Sequence, residues 1–515
     1  MRLDKLTIGS FKNLRDFSID FDEQTPTTVL VGRNGTGKSN LLEALTIIFR
    51  DLDAGEPPQF PYLLEYLCRG RKVRVSALMP DDPKDVRAWV DGKAVHYRQL
   101  SQVNGQRCLP NFVFGYYSGP SNRMEEHFEK HADRFYAALL HGSDRPLRPL
   151  FYARPIHSQF VLLAFFLKRE EEIERFLREH LRIEGLESVL FVMSEPPWRS
   201  PSGDGRFWNA RGVVSQFLNE LYRRALAPLR LEHRVSIGFR RTGTREHLYL
   251  YLKDVEALRG LAEHYGTQQE LFKALESTYI SELISEVRIR VKARNVDESL
   301  TFRELSEGEQ QLLMVLGLLR FTKEDESLFL LDEPDTHLNP AWSLRYLEFL
   351  RQIAGTQENS HIIMTTHEPL TIAGLGKSQV QIMQRDEQTG RVSAMTPDVD
   401  PKGMGVNGLL KSELFGLRTT LDVETVGKLD RRSELYALGE ERSAEQATEL
   451  TRLSDELSEL GFASDFRDPY YAAFVKAMAR HPQFRKPTLT PHELAEQEQI
   501  AAEALDRIVA AGGKP

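Results

Sequence analysis

Gly32-Arg33-Asn34-Gly35-Thr36-Gly37-Lys38-Ser39 follows the pattern GxxxxGK[ST], in which glycines let the backbone curl into a tight loop. A β-rich run, 27–31, precedes it and leucines at helical spacing follow it, so the sequence predicts a strand, the loop and a helix in succession. Backbone N–H groups of such a loop wrap around phosphates, the lysine neutralises their charge, and the serine hydroxyl binds Mg²⁺. We predict a nucleotide site at Gly32, Arg33, Asn34, Gly35, Thr36, Gly37, Lys38, Ser39 and Asn40.

A second signal is the apolar run Leu328-Phe329-Leu330-Leu331, which ends in Asp332 and Glu333. Such a run predicts a strand buried on both faces, whose acidic end reaches the carboxyl edge of an α/β sheet where ligands bind. Alone, an acidic strand end is more often a solvated turn, but the phosphate loop favours a shared site. We predict that Asp332 joins Ser39 around Mg²⁺ and that Glu333 is the general base that polarises a water.

Three more segments complete the pattern. Leu305-Ser306-Glu307-Gly308-Glu309 predicts a helix start, with Ser306 as N-cap and Gly308 allowing close backbone approach. Asp335-Thr336-His337-Leu338-Asn339-Pro340 follows the acidic strand end directly, and His367 follows a short apolar run, 361–365. A lone histidine after a strand is usually a polar turn residue, yet the order and spacing favour function for His367. His337 is predicted to be structural or to lie in an interface.

Together with Phe11-Lys12-Asn13-Leu14, these motifs resemble the RecF/SMC/OLD-like division of ABC ATPases over about residues 1–120 and 285–400. The resemblance implies ATP and Mg²⁺ held between two heads of a head-to-tail homodimer. It implies that His367 senses the γ-phosphate and that the 305–309 segment of one chain contacts the nucleotide of the other. The further nucleotide contacts that it implies are Lys12, Asn13, Ser306, Gly308, Glu309 and Asp335.

The resemblance has two gaps. Glu307 stands where transporter ATPases usually have glycine, a departure that resembles the SMC and RecF branch. The residue of the Q-loop, which would complete the Mg²⁺ shell, is not identified, and Gln59 and Ser118 are both candidates.

A narrower resemblance rests on Phe114-Gly115-Tyr116-Tyr117-Ser118-Gly119-Pro120-Ser121 and on the 414–479 tail containing Phe466-Arg467-Asp468-Pro469. These segments are similar to the ATPase subunit of Septu-type anti-phage systems and to restriction-associated ATPases. That resemblance implies a bacterial defence ATPase that works beside a separate nuclease or other effector. No nuclease motif is visible in the chain itself.

The predicted fold is α/β: an ABC-type ATPase head, with a mixed sheet and a P-loop, plus a helical insertion and a helical C-terminal appendage. The head would comprise 1–120 and 285–410, the mainly helical insertion 121–284, and the appendage 411–515, a region for partner docking. Predicted strands include a hairpin over 3–21 and runs at 73–78, 111–117, 287–291, 328–331 and 361–365; predicted helices include 170–181, 213–226, 307–319, one stopped by Gly461, one opened by Asp468-Pro469 and one opened by Thr490-Pro491-His492-Glu493.

Composition limits the partners. The 515 residues carry a formal charge of -8, which argues against a uniformly basic nucleic-acid binder but allows a local basic patch. Arg288, Arg290, Lys292 and Arg294 alternate along a predicted strand and could grip DNA phosphates, although a solvated strand face is the more common explanation. Two separated cysteines and short apolar runs predict a reduced, cytoplasmic protein with neither disulfide nor membrane span.

Four functions remain open from the sequence. An ATP-operated sensor or scaffold in anti-phage defence, controlling a separate effector, is favoured. A DNA-repair or chromosome-maintenance ATPase that acts directly on DNA is the alternative. A transport ATPase subunit is disfavoured by Glu307 and by the large insertion, and a protein that binds ATP without hydrolysis is disfavoured by the intact Glu333. Slow hydrolysis is therefore expected.

Overall fold

The computed structural model describes most of the chain, and the chain divides into two units. Unit 1 comprises residues 1–30, 34–371 and 378–395, and unit 2 comprises 31–33, 372–377 and 396–515. Arg294, the Asp468-Pro469 helix start, and the 466–469 segment lie outside the described residues. The described residues are 1–79, 85–103, 105–142, 149–238, 241–293, 300–321, 326–354, 359–462, 470, 474–475, 477–478, 481–486 and 489–510.

The strands of the described residues fall into three sheets. In chain order they are β1 (Arg2–Phe11), β2 (Leu14–Asp20), β3 (Thr27–Val31), β4 (Tyr62–Cys68), β5 (Arg71–Ala77), β6 (Arg87–Val90), β7 (Lys93–Val95), β8 (Phe112–Tyr117), β9 (Leu150–Tyr152), β10 (Ile183–Ser194), β11 (Leu229–Gly238), β12 (Arg241–Leu252), β13 (Ile284–Ala293), β14 (Leu300–Thr301), β15 (Ser327–Asp332), β16 (Ser360–Thr365), β17 (Val380–Arg385) and β18 (Val392–Met395).

The helices are numbered in the same way. They are α1 (Lys38–Ala54), α2 (Glu126–Leu140), α3 (Ile156–Leu167), α4 (Glu171–His180), α5 (Gly212–Arg224), α6 (Val255–Arg259), α7 (Gln268–Ile280), α8 (Glu307–Phe321), α9 (Pro340–Ala354), α10 (Pro369–Ile372), α11 (Gly405–Lys411), α12 (Val423–Ala437), α13 (Ala444–Glu459) and α14 (Pro491–Ala510). Within the described residues, none of them is both long and apolar enough to cross a membrane.

A seven-stranded sheet with the order β18-β17-β3-β16-β15-β8-β9 forms the centre of the fold. Strands β3, β16, β15, β8 and β9 run parallel, and every residue of β15 and β16 is buried. The apolar run at 328–331 is therefore buried on both faces, as predicted. Asp332 pairs with Thr365 of β16 and with Tyr117 of β8, so the carboxyl ends of these strands meet at one edge. The α/β class is confirmed, and the architecture is consistent with an ABC-type head.

A six-stranded antiparallel sheet, β2-β1-β4-β5-β6-β7, packs against α1. The predicted hairpin is confirmed: β1 and β2 pair antiparallel, and Lys12, with a φ of 51°, makes the turn between them. Leu3, Leu6 and Ile8 are the buried residues of β1, with a register shift between Leu3 and Lys5, and the Lys12-Asn13 turn joins β1 to β2.

The predicted insertion at 121–284 is not mainly helical, because it contributes strands to a five-stranded sheet with the order β11-β12-β10-β13-β14. Helices α2 to α7 lie in the segment expected to be mainly helical, but so do the long strands β10, β11 and β12. Strand β13, predicted to complete the central ATPase sheet, pairs instead with β10 and β14. The pairing partner of a strand depends on contacts distant in sequence, which a local pattern does not contain. The boundaries of head, insertion and appendage stay a prediction.

Unit 2 contains the helical tail. Helix α13 ends before Gly461, which has a φ of 88°, and α14 begins with reciprocal hydrogen bonds between Thr490 and Glu493. Both predicted helix boundaries are confirmed. Helices α12 and α13 are joined by ion pairs between Arg431 and Glu449 and between Lys428 and Glu456.

His361 joins two sheets in the core of unit 1. Its Nδ1 accepts a hydrogen bond from the backbone N–H of Leu3 on β1, at 3.0 Å, and its Nε2 lies 3.1 Å from the hydroxyl of Thr28 on β3. Burial, with a smaller contribution from the nearby N-terminal ammonium and Arg2, lowers the pKa of His361 to about 3. The imidazole is therefore neutral in the folded protein.

Because His361 is neutral in the folded protein, we expect the stability of the fold to decrease in acid. An unfolded chain binds this proton below about pH 6.5, whereas the folded chain resists it down to about pH 3. We therefore expect the free energy of unfolding to fall by about 1.4 kcal/mol per pH unit across that window because of this group. Urea unfolding of His361→Gln at several pH values should show a shallower acid dependence than wild type. Exposed His264→Gln is the control, and equal slopes in all three proteins would contradict the prediction.

Candidate nucleotide site

The loop after β3 adopts the strained backbone that its glycines permit. Gly35 and Gly37 have φ values of 81° and 91°, in the left-handed region. A Cβ atom at Gly37 would lie 2.9 Å from Oδ1 of Asn13, so only glycine fits there. The Asn13 amide donates to the carbonyl of Gly35 at 3.0 Å, which ties the β1–β2 turn to the loop. Gly32 and Arg33 of the predicted loop are grouped with unit 2.

Lys38 begins α1 and is 6% exposed. Burial lowers its pKa to about 8, while the carboxylates of Glu333 and Asp332 oppose this shift. The lysine therefore still carries its charge at neutral pH, and it interacts electrostatically with both carboxylates. The structure brings the predicted phosphate-binding cation and both predicted acidic residues together.

Asp332 lies at the end of β15 and is 2% exposed. Burial raises its pKa, opposed by hydrogen bonds from the hydroxyls of Thr365 and Ser39. The Thr365 hydroxyl donates to Oδ1 at 2.5 Å. A buried carboxylate beside a P-loop serine is the donor set that Mg²⁺ takes in such sites, and a cation there would favour the ionised form. The residues therefore fit a magnesium ion.

Glu333 has an unusual backbone conformation, with a φ of 53°. An L-residue pays roughly 1–2 kcal/mol in the left-handed region, so the surroundings must hold it there. Its N–H donates to the Thr365 hydroxyl at 3.0 Å, and the Thr336 hydroxyl donates to its carbonyl at 3.0 Å. These two bonds hold the backbone on both sides of the partly exposed Glu333 side chain. Strain at this position is typical of a functional residue.

His367 is the second predicted catalytic residue, and its Nε2 lies 3.5 Å from Oε1 of Glu333. Burial lowers its pKa, and the charge of Lys38 lowers it further, so the imidazole is held towards its neutral form. A neutral ring can hydrogen-bond to a phosphate or a water without adding charge beside Lys38.

Ser118 is the better placed of the two Q-loop candidates. Its N–H donates to the Asp332 carbonyl at 3.2 Å, and its hydroxyl lies 3.3 Å from that of Thr336. Gln59 is exposed on the loop before β4, in the antiparallel sheet. The sequence analysis assigned no role to Thr365 and Thr336, which position Asp332 and Glu333, because the partner of a threonine hydroxyl depends on the fold and not on a motif.

Glu43 on α1 is a buried carboxylate that is hydrogen-bonded to three basic residues beside the loop. The hydrogen-bond distances to its carboxylate oxygens are 2.5 Å from Lys12, 2.7 Å from His127 and 3.1 Å from Arg123. Burial would raise the pKa of Glu43, but the hydrogen bonds from these three residues outweigh it and hold the pKa at about 2. The cluster keeps Lys12 in place next to the phosphate loop.

The same cluster positions two further predicted contacts. The Asn40 amide donates to Oδ1 of Asn13 at 2.6 Å, and Arg123 donates to Oδ1 of Asn40 at 2.6 Å. One hydrogen-bond network therefore connects Lys12, Asn13 and Asn40, which is consistent with the predicted contact of all three with the nucleotide. Sequence reasoning missed Glu43 and Arg123.

The start of α8 carries the other half of the predicted site. Ser306 and Glu309 form a capping box, in which the Glu309 N–H donates to the Ser306 hydroxyl at 3.2 Å and the Ser306 N–H donates to Glu309 at 2.7 Å. A Cβ atom at Gly308 would lie 2.4 Å from the His337 carbonyl oxygen, so the predicted close backbone approach is present. His337 also lies 3.5 Å from Glu307, which agrees with a structural role.

Asp335, which remains a predicted nucleotide contact, is buried in this chain. It is 3% exposed, and its Oδ2 accepts hydrogen bonds from the hydroxyls of Thr366 at 2.6 Å and Thr371 at 2.5 Å. Burial raises its pKa to about 6. These bonds fix the segment that carries His367, so the structure makes Asp335 a positioning residue.

This placement predicts a difference between two substitutions of Asp335. Asparagine retains one oxygen that accepts both hydroxyls, so Asp335→Asn should unfold within about 1 kcal/mol of wild type. Asp335→Ala leaves two buried hydroxyls without their acceptor and should lose about 2–4 kcal/mol, with a parallel loss of ATP hydrolysis. Urea unfolding measures both. Equal stability of the alanine and asparagine variants would contradict the role.

Comparisons with known proteins support a nucleotide site. The family described as "AAA ATPase domain" matches residues 1–86, and the family described as "AAA domain, putative AbiEii toxin, Type IV TA system" matches residues 206–373. The Septu protein PtuA of Bacillus mycoides (strain KBAB4) is 28% identical over 197 residues, 36% of this chain and 27% of that protein. The DNA replication and repair protein RecF of Lactobacillus acidophilus is 44% identical over 45 residues, 9% and 12% of the two chains.

The matched segments thus span about a quarter of the Septu relative and an eighth of RecF. Among solved structures, an SMC head bound to the C-winged helix domain of ScpA has a TM-score of 0.34 at 13% identity, covering 77% of this chain and 98% of that one.

Proposed function

We propose that this chain, a relative of the RecF/SMC/OLD-like ATPases, binds ATP with Mg²⁺, hydrolyses it slowly and thereby controls a separate nuclease or other effector in bacterial anti-phage defence. The convergence of Lys38, Asp332 and Glu333 at one edge of a parallel sheet carries the proposal. The matched ATPase families support nucleotide chemistry, and similarity to a Septu protein supports the defence setting.

Each residue has a task in this scheme. The loop amides and Lys38 hold the phosphates. Ser39 and Asp332 would hold Mg²⁺, which neutralises charge on the transferring phosphate. Glu333 orients the attacking water and accepts its proton, while neutral His367 bridges Glu333 and the terminal phosphate.

A second copy of the chain would complete the site. Ser306 is exposed at the start of α8, where a helix N-terminus can receive a phosphate from another subunit. In a head-to-tail dimer, the Ser306 of one copy then faces the nucleotide held by Lys38 of the other. Control of an effector would follow from the difference between the open and the ATP-closed dimer.

Mixing two inactive variants tests this composite site. Ser306→Arg keeps an intact phosphate loop, and Lys38→Ala keeps an intact Ser306, so each alone should lack hydrolysis. An equimolar mixture forms heterodimers with one intact site, and activity should return to about a quarter of wild type. Ser306→Ala removes the helix cap and the hydroxyl without adding a side chain that blocks closure, so its unfolding temperature controls for the loss of the cap. A mixture no more active than its components would refute the head-to-tail arrangement.

The defence role is tested in cells. Bacteria that carry this chain together with the gene beside it should plate phage less efficiently, and Glu333→Gln should abolish that protection. Loss of protection on deletion of the neighbouring gene is the expected sign of a separate effector. Full protection by the ATPase chain alone would contradict the proposal.

The alternative is a DNA-repair or chromosome-maintenance ATPase, favoured by the RecF match and by the basic residues of β13. Steady-state hydrolysis with and without duplex DNA, at two salt concentrations, separates the two. Acceleration by DNA that weakens at high salt would support the alternative, because phosphate contacts are salt-sensitive. Hydrolysis indifferent to DNA supports the scaffold.

A further inference from the structure

The five-stranded sheet has one packed face and one face that carries exposed side chains along β11, β12 and β13. On β12, Leu248, Leu250 and Leu252 are at most 1% exposed, and the tyrosines between them therefore point to the other side. On β13, the valines and isoleucine at 287, 289 and 291 are buried, whereas Arg288, Arg290 and Lys292 are exposed. We name the second side the open sheet face; its residues are Arg288, Arg290, Lys292, Leu190, Tyr249, Tyr251, Leu229 and Leu231.

The strand register arranges this face in rows. Leu190 on β10 pairs with Tyr251 on one side and with Arg288 on the other. A tyrosine ring and a guanidinium group thus stand two strands apart, about 10 Å, with only an aliphatic side chain between them. The Tyr249 hydroxyl lies 2.8 Å from Nε2 of His233, which fixes that ring on the sheet.

On the open sheet face, the exposed apolar side chains lie on β11 and β12 and the cationic side chains lie on β13. Leu229, Leu231 and Tyr251 are 51%, 43% and 37% exposed, which is unusual for large side chains on adjacent strands. Glu286 pairs with Arg288 and Arg303. For Arg290 and Lys292, no ion pair is found in the part of the chain that the structure describes. A local excess of positive charge thus stands on a chain whose formal charge is -8.

We propose that the open sheet face binds single-stranded nucleic acid, with bases stacked on Tyr249 and Tyr251 and phosphates held by Arg288, Arg290 and Lys292. Unpaired bases expose their flat faces to aromatic rings on a sheet, whereas a duplex buries those faces and offers only its phosphates and groove edges. An acidic protein partner would satisfy the cations but gives no reason for the exposed Tyr251 and the partly exposed Tyr249 beside them. The surface is separate from the nucleotide site, so it adds a binding function to the ATPase.

Fluorescence anisotropy with a labelled 20-nucleotide oligo(dT), and with a duplex of the same length, tests the proposal on the full chain. Wild type should bind the oligonucleotide more tightly than the duplex, and about 20-fold more weakly at 200 mM than at 50 mM salt if each of the three cations contacts one phosphate. Arg290→Glu combined with Lys292→Glu should abolish binding. Tyr251→Ala should weaken oligonucleotide binding by about 5-fold or more and leave any duplex binding unchanged.

Arg87→Glu combined with Lys93→Glu reverses two exposed charges on another sheet and should retain binding. ATP hydrolysis in all variants should match wild type, which separates this surface from the nucleotide site. Absence of oligonucleotide binding would overturn the proposal. So would tighter binding of the duplex, no effect of Tyr251→Ala, or an equal loss in the control pair.

Discussion

Glu333→Gln is expected to lower steady-state ATP hydrolysis by about 10²–10⁴-fold, the loss that removal of a positioned general base produces. Glutamine keeps the size of the side chain and the backbone bonds to Thr365 and Thr336, so the φ of 53° persists. Only the proton acceptor is lost. ATP should therefore remain bound with Mg²⁺, and the variant should accumulate as a closed dimer.

Two measurements check this result. Phosphate release measures the rate of hydrolysis. Size-exclusion chromatography with light scattering detects the dimer, and the nucleotide content of the eluted protein shows whether ATP is still bound. Glu171→Gln, an exposed carboxylate 87% accessible on α4, is the matched control and should hydrolyse like wild type. Glu333→Gln that stays monomeric and nucleotide-free in saturating Mg-ATP would exclude the closed dimer.

The elements around this site were predictable because their patterns are local. An apolar run of the length of β15 is buried on both faces, and the glycines of the loop meet steric demands within a few residues. The five-stranded sheet was not predictable in the same way. Register shifts at Ile183, Leu186 and Val192 break the alternation along β10, so its pattern does not match a regular strand.

The roles of the site residues could be predicted where they depend on residue type and spacing. The prediction was incomplete where a role depends on burial. Asp335 lies next to exposed residues, yet two threonine hydroxyls from a later segment cover it. Glu43 did leave a signal: a lone carboxylate between Leu42 and Ala44 on a buried helix face must find cations. Its partners Arg123 and His127 are about eighty residues away, which no local pattern shows.

Lys38→Ala is expected to abolish ATP binding without unfolding the protein. The pKa of Lys38 is lowered to about 8 chiefly by burial, so the folded chain holds this charge at a cost that alanine removes. In the absence of nucleotide the variant should therefore unfold at or above the wild-type temperature. Charged hydrogen bonds are worth about 1.5–3 kcal/mol each, so losing two phosphate contacts should weaken ATP binding by about 10²–10⁴-fold.

Thermal unfolding with and without Mg-ATP distinguishes binding from folding. At a concentration 100 times the wild-type dissociation constant, ATP stabilises the wild type by about 2.7 kcal/mol, and Lys38→Ala should keep at most about 0.4 kcal/mol of this gain. Lys93→Ala, on the exposed strand β7, should keep it. If ATP stabilises Lys38→Ala as much as it stabilises the wild type, Lys38 does not bind the nucleotide. The burial of its ammonium group near Asp332 and Glu333 would then have no functional explanation. A variant that unfolds without nucleotide would instead make Lys38 a structural residue.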